Sequence, residues 1–258
     1  MGYMDLMTKA ENLEKLRELV NTQVKATPES SLRTVFDLED GFRDTIWMKA
    51  CIAKIKSDPA SAKILEERYV EPEWNLVEML KLPKNSLGWT YAKVMSTLGY
   101  DPHFYRDRKS IEEETDYVTM RVRSTHDMMH IISGFDMIHG EIATIGLNVG
   151  QYGYPGFMLI DLMGLFFACF PLMEGKSMSV NTEAYARPDV KRTGGLIFDI
   201  LAHGITMARK AKPLFAVKLG EILDQPLDKV RKDLNIEPIT FGDYSWYSDP
   251  RLKDAVTK

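Results

Sequence analysis

Apolar residues in this chain recur at three-and-four spacing and are cut into short blocks by proline, a pattern that leaves little room for anything but helices. Leu13, Leu16 and Val20 share one face of a segment over 6–20, which Pro28 and the Ser30-Ser31 pair break. Phe42, Ile46, Met48 and Ile52 mark a helix over 36–55, ended by Pro59. Short helices are predicted over 60–68 and 74–82, closed by Pro72 and Pro83. Ser86 is placed to cap a helix over 87–98, its hydroxyl accepting a main-chain N–H of the first turn. Further helices are expected over 116–133, 137–149, 157–173, 192–210, 213–223 and 226–234, with a loop over 150–156. Few windows alternate at period two, and no hairpin dipeptide lies between β-branched runs. The expectation is an all-α, single-domain multi-helix bundle over 1–258, with an apolar groove.

Length and composition narrow the function classes. At 258 residues the chain suits one large domain, and 45% apolar with 27% charged residues is ordinary for a globular protein. A net charge of −4 argues against a nucleic-acid partner, which would call for a basic face. Two cysteines, Cys51 and Cys169, exclude a disulfide scaffold and a cysteine-rich zinc module; both lie in apolar surroundings and read as reduced core residues in a reducing compartment. Residues 1–20 mix acidic and basic side chains without an apolar run, so neither a signal peptide nor a transit peptide is visible there. The longest apolar run, 157–173, is shorter than the roughly 20 residues a spanning helix needs, and it carries Asp161 and Pro171. It reads as a buried helix, with contact to a membrane surface as the sharper alternative. A carboxylate in such a run needs a partner, and an arginine is expected for Asp161.

Three of the five histidines fall between Thr125 and Glu141. His126 and His130 are four apart, so a helix stacks them on one face, where two imidazoles can hold one cation. Asp127 lies about 100° round the helix, where it flanks the pair or bonds a ligating ring. An aspartate is a poor substitute for the longer glutamate base of the zinc proteases, which disfavours a hydrolase of that type. Glu141 is the natural fourth group, yet on an unbroken helix it would lie roughly 16 Å from His130 along the axis. Metal ligands sit about 2.0–2.2 Å from the ion. One straight helix cannot supply both, and Gly134 followed by Phe135 and Asp136 offers a place to fold back. The bland alternative is two histidines and two acids on a solvated helix face.

This segment resembles the motif of the coenzyme Q (ubiquinone) biosynthesis protein four family, in which His-Asp-x-x-His is followed by a glycine and then Gly-Glu. The resemblance continues in Leu82-Pro83, Ser86-Leu87-Gly88 and Tyr91, in Tyr117-Val118 with Arg121 and Arg123, and in Gly204, Lys212-Pro213-Leu214, Pro226-Leu227 and Leu234-Asn235-Ile236-Glu237-Pro238. It covers roughly 75–240, and divides the chain into an N-terminal helical extension (1–72), a family-like core (73–240) and a tail (241–258) that wraps back or extends to a partner. One departure stands out. Ten residues, 131–140, separate His130 from Glu141, one fewer than in the family pattern. The loss falls between Gly134 and Gly140, where a loop can absorb it, and Asp136 and His139 are reserve ligands.

The resemblance implies that His126, Asp127, His130 and Glu141 are the ligands of a divalent metal and the catalytic residues. Zinc is the first choice, with cobalt, iron, manganese or magnesium as alternatives, since His/Asp/Glu ligation does not choose among them. It implies a ubiquinone biosynthesis protein that replaces the carboxylate of a polyprenyl-hydroxybenzoate ring with a hydroxyl, or organises the biosynthetic complex. The implied partners are a prenylated aromatic lipid, other ubiquinone-biosynthesis proteins, the membrane surface and a second copy of the chain in a homo-oligomer. The implied location is cytoplasmic and peripheral to the inner membrane, on the mitochondrial matrix side in a eukaryote. Met128, Met129, Met137 and Met163 are candidates for an adaptable lining of the prenyl chain, with ordinary core as the plainer reading. The alternative function is a non-catalytic prenyl-lipid-binding scaffold with a structural metal. A phosphohydrolase of the His-Asp type would draw on His103 and on Asp161 or Asp199, but no spacing supports it. Asp199 and His203 also stand four apart, more simply as a hydrogen-bonded pair than as a second metal site. Arg209, Lys210 and Lys212 complement the negative end of a helix dipole.

Overall fold

The computed structural model describes residues 41–102, 111–169 and 194–256, so the helix predicted over 6–20 lies outside the described residues. Helix α1 (Ile46–Lys56) starts at Thr45, whose hydroxyl accepts the Met48 N–H at 3.2 Å. Pro59 opens α2 (Pro59–Glu67), where a missing N–H does no harm, and the Asp58 carboxylate accepts from Ser61 at 2.7 Å. The short α3 (Leu76–Met79) leads to α4 (Leu87–Leu98), capped by Ser86 as expected. Helix α5 (Glu114–Ser133) is the axis of the fold. Its first turn is held by a reciprocal cap between Glu113 and Asp116, and Arg43 grips the same aspartate. Helices α6 (Glu141–Tyr152), α7 (Pro155–Cys169) and α8 (Gly194–Lys210) follow. The chain closes with α9 (Leu227–Asp233), a 3-10 turn at Trp246–Ser248 and α10 (Pro250–Val256). No strand occurs among the described residues, only isolated bridges between Ser86 and Pro226 and between Phe135 and Ser245.

The helix expected over 36–55 starts only at Ile46, after turns from residue 41, and that over 74–82 shortens to Leu76–Met79. Two further elements differ for a visible reason. Over 213–223 two 3-10 turns, Leu214–Ala216 and Leu219–Glu221, replace the expected helix. Their main-chain groups are claimed from elsewhere: Arg121 donates to the carbonyls of Phe215 (2.9 Å) and Val217 (2.6 Å), while Glu71 accepts the N–H groups of Leu219 (3.1 Å) and Gly220 (2.8 Å). The helix predicted from residue 137 begins only at Glu141. The Asp136 carboxylate takes the N–H groups of Ile138, His139 and Gly140 at 2.8, 2.5 and 3.1 Å and winds that stretch into a loop.

Helix α5 is buried along two faces. Met128, Met129, Ile131 and Ile132 join Leu87, Tyr91, Leu147 and Trp246 in one apolar cluster. Tyr117, Val118 and Val122 join Met48, Cys51, Ile55, Ile145, Phe157 and Phe215 in the other. Full burial of each such side chain contributes about 1.5–3 kcal/mol. Met128 and Met129 therefore serve as core; the side chain of Met163 lies outside the described residues. Burial pushes the Cys51 thiol up to about 12, as befits an inert core residue. Helices α6 and α8 pack closely: a Cβ placed on Gly204 would stand 2.0 Å from the carbonyl oxygen of Ala143.

Candidate metal centre

The site is built where α5 ends and α6 begins. The i, i+4 spacing puts His126 and His130 in the last two turns of α5, their ring centroids 4.9 Å apart. Gly134, at φ 86°, stops the helix in the left-handed conformation, its N–H bonded to the His130 carbonyl at 2.9 Å. The other terminal carbonyls find donors far along the chain: Arg231 donates to Ile131 (2.8 Å) and Ile132 (2.9 Å), and the Ile239 N–H to Ser133 (2.9 Å). The Asp136 loop then turns the chain back, and Glu141 enters at the first position of α6, where a carboxylate also suits the positive end of the helix dipole.

This fold-back brings three groups to one focus. The Glu141 oxygens lie 3.1 Å from His126 Nε2, one of them 2.9 Å from His130 Nε2, and the two Nε2 atoms are 3.2 Å apart. The ligand atoms of His126, His130 and Glu141 all fall within 4.8 Å of one another. The shorter 131–140 connection thus delivers its glutamate. The imidazoles form the buried wall, and the Glu141 side chain, 38% exposed, forms the wet side.

Neighbouring groups set the rings. His130 Nδ1 lies 3.2 Å from the Phe135 carbonyl and 3.1 Å from Thr144 Oγ1. With a metal bound, a proton on Nδ1 would donate to the carbonyl and leave the Nε2 lone pair for the ion, the arrangement a metal-binding histidine requires. The His126 ring meets Phe157 edge-on at 5.1 Å between centroids. Burial opposes charge on His126, but the facing Glu141 carboxylate outweighs it and raises the pKa above its usual value. Burial likewise opposes ionisation of Glu141, and the two imidazoles hold its carboxyl far below the usual range. Two lone pairs and one anion that keep protons only by sharing them are a donor set suited to a divalent cation.

The remaining candidates sit elsewhere. Asp127 is half-buried beside the pair but outside the group of converging ligand atoms. Burial raises its pKa, against the pull of His126 and His130. Asp136 and His139 pair with each other at 3.4 Å and build the loop. His203 Nδ1 meets the Tyr244 hydroxyl at 3.3 Å, and Asp199 is exposed, so they are not a buried pair. His103 lies outside the described residues. Among the described residues no arginine bonds Asp161, whose two carboxyl oxygens are buried without a hydrogen-bond partner there. Thr144, Arg231 and Trp246, which steady the histidine turn, carry no sequence signal of that role, because each arrives from a separate element.

Fold and site together define an all-α protein with a His/His/Glu centre at a helix fold-back. The family model for "Coenzyme Q (ubiquinone) biosynthesis protein Coq4" matches residues 42–240, and the chain belongs to that family. It is 30% identical over 185 residues to a mitochondrial ubiquinone biosynthesis protein COQ4 of Scheffersomyces stipitis, covering 70% of this chain and 52% of that one. It is 28% identical over 190 residues to the COQ4 homolog of Nematostella vectensis, covering 72% and 83%. The chain thus spans about half the length of the yeast relative. A crystal structure of a Nostoc punctiforme protein assigned to ubiquinone biosynthesis superimposes with a TM-score of 0.66 at 20% identity, over 88% of this chain and 99% of that one, and so shares the fold.

Proposed function

We propose that this ubiquinone biosynthesis protein is a metal-dependent enzyme that replaces the carboxylate of a polyprenyl-hydroxybenzoate ring with a hydroxyl, releasing carbon dioxide, with water supplying the hydroxyl and dioxygen taking up the two electrons and leaving as hydrogen peroxide. The reading rests on one observation: two buried imidazoles and a partly exposed carboxylate converge within 4.8 Å in a chain of this family. His126, His130 and Glu141 would hold the cation, with zinc, cobalt, iron and manganese all compatible with the donors. Bound there, it supplies a Lewis acid that stabilises negative charge on a carboxylate or phenolate oxygen. The chain's own part is orientation. Phe135 and Thr144 fix the His130 tautomer, Phe157 closes the inner side of His126, and Glu141 borders the open side. Three protein ligands leave a position for substrate, as catalytic rather than structural sites do.

The family suggests partners among proteins of the same pathway and a place at the membrane with them, mitochondrial where the relatives are named so. Among the described residues no helix is long and apolar enough to cross a membrane. The test supplies purified protein, zinc or cobalt, oxygen and prenylated hydroxybenzoate, and looks for the hydroxylated ring by mass spectrometry. Product lost in His130→Ala with lipid binding kept supports the enzyme. Undiminished ubiquinone synthesis in cells carrying that substitution overturns it in favour of a lipid-presenting scaffold.

A further inference from the structure

Asp161 is the one carboxylate of the described residues that the fold buries and leaves with nothing to bond. Its residue is 5% exposed, and neither oxygen has a hydrogen-bond partner. Protonation does not resolve this, because a neutral carboxyl group brings an O–H that also needs an acceptor. Buried polar groups are paired in the great majority of cases, and an orphan calls for a missing water or ion. Burial raises the Asp161 pKa well above the usual carboxylate range, and among the described residues the Glu141 carboxylate raises it further. Like charge from Glu141 thus adds to the cost of ionising Asp161, a cost that a cation between them would relieve.

Position agrees. Phe157 touches the His126 ring, and Asp161 is four residues further along α7, on the same face of that helix. Helix α7 packs on both α6, which carries Glu141, and α1. Charge agrees too. A divalent cation on two neutral imidazoles and one carboxylate keeps one net positive charge, which the neighbouring carboxylates, Asp127 on α5 and Asp161 on α7, would offset.

We propose that Asp161 belongs to the metal centre, as a second carboxylate that neutralises the cation through a bound water from the α7 side. Its oxygens are not among the converging ligand atoms of His126, His130 and Glu141, which is why a water is placed between. The inference rests on the metal-centre reading above. Unlike a stabilising core residue, Asp161 serves the centre at the expense of the metal-free fold, so affinity and stability must respond in opposite directions.

The test titrates cobalt(II) and zinc(II) into metal-free wild type, Asp161→Asn and Asp161→Leu, with a chelator as competitor, and records thermal midpoints of the metal-free proteins. Asp161→Asn and Asp161→Leu should bind on the order of 10–100-fold more weakly. Their metal-free midpoints should match or exceed the wild type, and the cobalt absorption band should keep its position, since the three direct ligands stay. Affinities within twofold of wild type overturn the proposal. So does an affinity loss matched by a lower metal-free midpoint, the signature of a structural role. Wild type that binds neither metal overturns the centre itself, whereas binding by wild type and variants alike overturns only Asp161.

Discussion

The indole N–H of Trp246 donates to the main-chain carbonyl of His130 at 3.1 Å, across 116 residues of sequence. That carbonyl also receives the Gly134 N–H, so the turn that presents the second histidine is tied at once to its own helix cap and to the C-terminal segment. Trp246→Phe should lower stability by about 1–3 kcal/mol, through the lost hydrogen bond and the lost indole volume. Metal affinity should fall severalfold with it. Urea denaturation and zinc titration check the pair of effects, and an unchanged affinity would detach Trp246 from the site.

The three converging side chains are not equivalent in exposure, yet each should be indispensable. His126→Ala, His130→Ala and Glu141→Gln should each lose the bound ion on dialysis against a mild chelator, read by elemental analysis. Asp127→Asn should weaken binding without abolishing it, because Asp127 acts on the histidines through its charge. Equal loss in all four variants would place Asp127 among the direct ligands.

Acidity should separate the free from the loaded protein. In the metal-free state the raised His126 pKa makes its pairing with Glu141 fully stabilising below the ordinary histidine value of about 6.5, and lost as pH rises through the raised value. The depressed Glu141 pKa makes the same pairing fully present above about 4.3, and lost as pH falls through the lowered value. Denaturation midpoints of metal-free wild type relative to Glu141→Gln should therefore differ most between about pH 4.3 and 6.5. Metal affinity runs the other way. It should weaken as pH falls through the raised His126 value, where the imidazole regains its proton.

Gly134 sits at φ 86°, and a Cβ there would stand 2.1 Å from the carbonyl oxygen of Ile239. Gly134→Ala should destabilise by about 2 kcal/mol or more, from a disfavoured backbone region and a contact with main chain that cannot rotate away. The zinc titration should show a second loss, because the fold-back that delivers Glu141 starts at this residue. Normal zinc binding by the Gly134→Ala variant would remove Gly134 from that role.

What could be read from sequence follows the range of the forces involved. The Ser86 cap, the stacked histidines and the break at Gly134 rest on neighbours within one or two turns, and the structure repeats them closely. The 213–223 segment could not be read, because its hydrogen-bond partners Arg121 and Glu71 stand far away in sequence. Asp161 was legible as an anomaly, a lone acid in an apolar run, but its surroundings depend on how α7 lies against α5 and α6. For the tail from residue 241 the sequence left a return and an extension to a partner both open, since tryptophan and tyrosine fit a core and a partner surface equally well; the Trp246 bond to His130 makes it a return.

The missing side chain at Gly204 has a consequence for the whole molecule. With the Ala143 carbonyl 2.0 Å from where a Cβ would sit, α8 acts as a rail on which α6 cannot roll. Glu141 stands two residues before Ala143, so the aim of the carboxylate is governed from the opposite side of its helix. Natural variants that enlarge residue 204 should swing the acid off target while His126, His130 and Glu141 themselves stay unchanged, a defect that no inspection of those three residues could reveal.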